Sequence, residues 1–83
     1  MIRGGPRRAY RVWGFSSTHD AIAAEDALKS EGIAATTIPR PAELGGAECG
    51  IAVRVLDAET LRSEELFARI DILPRGSILM MDR

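Results

Sequence analysis

Cys49 is the only cysteine in the chain, and thiol chemistry is what its reactive residues most directly permit. It follows the non-repetitive stretch Ile38 to Glu48 and precedes the apolar run Gly50-Ile51-Ala52-Val53-Arg54-Val55. A cysteine in a core behaves as a small hydrophobe. One at a loop-to-strand junction is reachable from solvent and near free backbone N–H groups, which favour the thiolate. His19, the sole histidine, would attract that thiolate when protonated and serve as a base when neutral. Ser17 and Thr18 offer O–H donors to a sulfur or a substrate oxygen, and Arg40 in the loop offers a cation. Gly50, with Gly45 and Gly46, leaves the backbone around the sulfur uncluttered for a bulky partner.

Each residue also has a plainer role. Cys49 can be a packed strand residue, His19 and Arg40 solvated side chains, Ser17 and Thr18 helix caps, and the glycines turn formers. Other chemistries lack their residues. There is no Cys-x-x-Cys, no phosphate-binding glycine loop and no G-x-S-x-G elbow. One Cys and one His fall short of a structural zinc set, so neither a metal nor a cofactor is expected. A cysteine enzyme needs an acid to orient its histidine, and none is evident. The residues therefore suit a carrier or a binding module better than a dedicated enzyme.

The elements that must position these residues fit one small domain. With 46% hydrophobic and 28% charged residues the chain is an ordinary globular one, and its net charge of −1 gives no bulk reason to bind nucleic acid or an anionic membrane. A lone cysteine forms no internal disulfide, and no run reaches transmembrane length or resembles a secretory signal, so a cytoplasmic location is expected. Residues 1–8 read as a flexible basic tail ahead of a domain over 9–83. Tyr10, Val12, Trp13 and Phe15 favour a first strand over 9–15. A hydroxyl residue then starts a helix from about His19 to Glu31, with Asp20 at its positive end, Ala21, Ala24 and Leu28 on its buried stripe, and Gly32 just past its end. Glu25 and Lys29, four apart, should pair on its surface.

Ile33 to Ile38 reads as a second strand ended by Pro39 and Pro41, and Gly50 to Leu56 as a third. Asp57 can cap a helix over about Ala58 to Asp71 that buries Leu66, Phe67 and Ile70. Pro74-Arg75-Gly76 turns the chain into a last strand, Ser77 to Met81. The order βαββαβ predicts an α+β ferredoxin-like plait: a four-stranded antiparallel sheet with both helices on one face and the first and third strands central. That topology brings the end of the first strand, with Ser17 to His19, beside the start of the third, with Cys49. Alternation without a bulge puts Trp13 and Arg54 together on the uncovered face, where with Ala52 they suggest a homodimer formed through that open face.

A strand ending in Phe15, then Ser-Thr-His-Asp-Ala, Glu25, Leu28 and Gly32-Ile33, resembles the start of the DUF3343 domains. Ile38-Pro39-Arg40-Pro41 and Cys49-Gly50-Ile51-Ala52-Val53-Arg54 resemble that family's Pro-x-Pro loop and its Cys-Gly opening of an apolar strand. The likeness covers residues 9 to 80 and implies a selenium or sulfur carrier with Cys49 as carrier thiol, Thr18 and His19 as its neighbours, and a sulfur- or selenium-transfer protein as partner. Leu44-Gly45-Gly46-Ala47-Glu48 stands where the family has a serine-containing stretch, so a hydroxyl donor near the sulfur is missing. The alternative, from a different class, is an ACT-like ligand-binding or oligomerisation module in which the cysteine is structural.

Overall fold

The computed structural model describes residues 8–45 and 50–81. Residues 1–7 of the expected basic tail, Cys49 with its neighbours 46–48, and residues 82–83 lie outside them. The elements follow the expected order: β1 Ala9–Gly14, α1 Thr18–Ser30, β2 Ala35–Pro39, β3 Ile51–Leu56, α2 Thr60–Ile70 and β4 Ser77–Met81. One antiparallel sheet is ordered β2-β3-β1-β4, so the fold is the α+β ferredoxin-like arrangement with β1 and β3 in the middle.

The local chemistry explains the boundaries. Ser17 is extended and its hydroxyl accepts from the Asp20 N–H at 3.1 Å, satisfying one orphan donor of the first turn of α1. At the other end Gly32 takes φ +80° and the Ile33 N–H reaches back to the Leu28 carbonyl at 2.9 Å, closing a Schellman turn. That closure uses Ile33, which is buried against the core, so β2 begins at Ala35 rather than Ile33. Pro39 belongs to β2 instead of ending it. The strand lies at the sheet edge, where a missing N–H costs no ladder bond.

Asp57 does not cap α2 through the backbone. It opens a 3₁₀ turn, Asp57–Glu59, and its Oδ1 accepts from the Thr60 hydroxyl at 3.1 Å and from Arg11 at 3.4 Å. Leu66 and Phe67 are buried as expected, but Ile70 is exposed, because the helix ends there and Asp71 turns away in the left-handed region at φ 62°. Glu25 and Lys29 do pair, at 3.4 Å.

The core lies between the helices and one sheet face: Trp13, Phe15, Val53, Val55 and Ala35 from the sheet side, Ala21, Ala24 and Leu28 from α1, Leu66 and Phe67 from α2. Phe67 meets Trp13 and Phe15 edge-on, at 5.0 and 5.7 Å between ring centroids. This corrects the expected face of Trp13. Trp13 lies opposite Val53 and Val12 opposite Arg54, and directly opposed residues share a face. Trp13 is therefore a core residue whose indole N–H donates to Glu64 of α2 at 3.3 Å. Arg54 lies on the uncovered face and stacks on Tyr10, 4.2 Å from the ring centroid. Without Trp13, the aromatic argument for a dimer through that face lapses.

Candidate functional site

The end of the sheet where β1 and β2 finish and β3 and β4 begin also carries the N-terminus of α1. Gly14 of β1 pairs with Ala52 of β3, which pairs in turn with Ile38 of β2. The Ser17–His19 turn and Gly50, the residue after Cys49, thus lie at one end of the domain, as the topology predicts. Thr18 and His19 are exposed there, while Ser17 is half-buried by its capping bond. The first turn already holds an anion: the Asp20 carboxylate, which accepts from the Ser16 hydroxyl at 3.2 Å.

Arg40 organises this end more than the other candidates do. Its backbone N–H donates to the Gly50 carbonyl at 3.0 Å, and its side-chain Nε donates to the Gly45 carbonyl at 2.8 Å. Gly45 and Gly50 flank residues 46–49, so one arginine grips the chain on both sides of the segment containing Cys49. Its guanidinium lies against the Cα of Gly14. A Cβ placed there would come 2.6 Å from Nη1. Gly14 and the small Ala52 provide the low ground across which this side chain reaches from the far side of the sheet.

The loop continues as a short 3₁₀ turn, Ala42–Leu44, and Leu44 reaches the start of the opposite edge strand. A Cβ on Gly76 would meet its Cδ2 at 3.7 Å. The segment from Arg40 to Gly45 thus straps the sheet end from β2 to β4. Gly45 has φ 66° and ψ −177°, a conformation open essentially to glycine alone. Among the described residues, a Cβ on Gly45 or Gly50 would meet nothing within 4 Å.

Sequence reading singled out Arg40 and Gly50 but passed over Gly14. Its signal was present: a glycine inside a strand pattern marks a close approach by another group. The family described as "Putative Se/S carrier protein-like" matches residues 10–78, a span that includes Cys49 and every element from β1 into β4. The chain belongs to this family. No curated protein was found to match it. No helix among the described residues is long and apolar enough to cross a membrane.

Proposed function

We propose that this chain is a thiol-based carrier in which Cys49 accepts sulfur or selenium and passes it to a partner protein. The observation that carries the reading is that the family's matched span contains one cysteine, and a sulfur carrier needs one thiol with no second to close it into a disulfide. The bonds of Arg40 to the Gly45 and Gly50 carbonyls support it, since they bring a cation to both flanks of the segment that contains Cys49. His19 and Thr18, at the start of α1, are the proposed proton acceptor and O–H donor. Arg40 is a positioning residue, and Ser17 holds the helix end.

The loading step is an exchange. The Cys49 thiolate attacks the outer sulfur, or selenium, of a donor persulfide or selenosulfide. A bond from Sγ to that atom forms, the donor's S–S or S–Se bond breaks, and the donor leaves as a thiolate that takes up the proton Cys49 gave away. No net oxidation occurs, so no oxidant or metal is required. Unloading is the same exchange toward the acceptor's thiolate.

Intact mass after incubation with a cysteine desulfurase and cysteine tests this. The expected result is one added sulfur on the wild type, removed by dithiothreitol and absent from Cys49→Ser at unchanged circular dichroism. An unmodified wild type, or equal labelling of Cys49→Ser, would overturn the reading.

A further inference from the structure

The two edges of the sheet are protected unequally. Strand edges present unpaired N–H and C=O groups, and natural proteins blunt them with caps, prolines or charges. On the β2 edge the outward N–H of Thr37 is taken by the Glu25 carboxylate of α1 at 3.2 Å, and Pro39 has no N–H to offer. Among the described residues the β4 edge has neither device. Its sequence, Ser77-Ile78-Leu79-Met80-Met81, contains no proline and no charge. The Gly14 N–H donates to the Gly76 carbonyl, which sets the alternation along β4. Ile78 and Met80 turn their backbone groups toward β1, while Ser77, Leu79 and Met81 turn theirs outward. Among the described residues nothing hydrogen-bonds to those outward groups.

The side chains on the same positions are equally uncovered. Leu79 and Met81 are 51% and 54% exposed although they lie on the face the helices cover elsewhere. Beside them an open cleft of about 340 Å³ separates α2 from the start of β4, lined by Trp13, Glu64, Phe67, Leu73 and Ser77 among others, with Leu73 at 71% exposure.

We infer that β4 pairs antiparallel with β4 of a second copy, making one continuous eight-stranded sheet about a two-fold axis at Leu79. This inference is independent of what Cys49 carries. The strand suits itself as a partner. With Leu79 opposite Leu79 of the second copy, Ser77 falls opposite its Met81, so all three outward residues of each strand pair and a small side chain meets a long one. A neutral strand sets no like charges against each other. Ser77 lines the cleft, and the second copy's Met81, standing opposite on the same face, arrives at its mouth. One partner thus meets both the unpaired edge and the unfilled cleft. Antiparallel pairing also sends the two Arg40 straps to opposite ends of the assembly, leaving each accessible.

Sedimentation equilibrium under reducing conditions tests the inference, with Leu79→Pro and Leu79→Lys as variants. The Leu79 N–H takes no part in the ladder with β1, so proline there removes an outward donor without breaking the fold. Leu61→Lys, on the exposed side of α2, is the control. The wild type and the control should have twice the chain mass, and both Leu79 variants the single-chain mass at unchanged far-ultraviolet circular dichroism. A single-chain wild type at millimolar concentration overturns the proposal. So does a dimer that survives both Leu79 variants, or one that Leu61→Lys or reduction dissolves.

Discussion

Arg40 and Gly14 are coupled by contact rather than by charge, and that coupling has a sign that can be measured. Gly14 does not have positive φ, so alanine is sterically allowed by its own backbone. In isolation such a change stabilises by about 0.4–1 kcal/mol, because the unfolded chain loses freedom. Here the new methyl would strike the guanidinium, and Arg40 would have to give up the Gly45 carbonyl or shift the strap. Gly14→Ala is therefore expected to destabilise the wild type by about 1 kcal/mol in urea titration and to stabilise an Arg40→Ala background. Equal effects in the two backgrounds would show that the contact carries no energy. The loop cation itself was legible in the sequence. Its partners were not, because Gly14 lies on the opposite central strand and only the folded register brings it there.

At the scale of elements, local chemistry was the better guide. A hydroxyl residue, Asp20 and Gly32 marked the ends of α1 from residue type alone, although the helix starts at Thr18 with Ser17 as its cap rather than at His19. An orphan N–H, a helix dipole and a left-handed turn each select for particular side chains. Ser16 and Ser17 also separate cleanly. The Ser17 hydroxyl accepts from a backbone N–H, whereas the exposed Ser16 hydroxyl donates to the carboxylate of Asp20. Ser17→Ala should cost about 1 kcal/mol in chemical denaturation and Ser16→Ala under about 0.5 kcal/mol. A reversed order would mean that the cap is not what holds the helix start. The start of β2 was misjudged for an equally local reason. Ile33 suits a strand by propensity, but the closing turn after α1 claims it first.

For the whole molecule the decisive quantity is the register of β1 against β3. Shifting it by one residue would exchange Trp13 with Val12 between core and uncovered face. As it stands, Phe67 meets both Trp13 and Phe15, tying α2 to the strand that leads into the site. Phe67→Ala should cost about 3–5 kcal/mol by thermal or urea unfolding. It should also red-shift Trp13 fluorescence as water enters the adjacent cleft. A loss below about 1 kcal/mol would show that the aromatic cluster is not the centre of the core. The order of elements, the single thiol and the residues that could surround it follow from composition, capping chemistry and periodicity, all of which act within a few residues along the chain. Which sheet face each side chain takes, that Arg40 crosses to Gly14, and that among the described residues β2 is capped and β4 is not were decided by the tertiary structure. Strand register and edge contacts are set by side chains meeting across long sequence separations, where no local pattern operates.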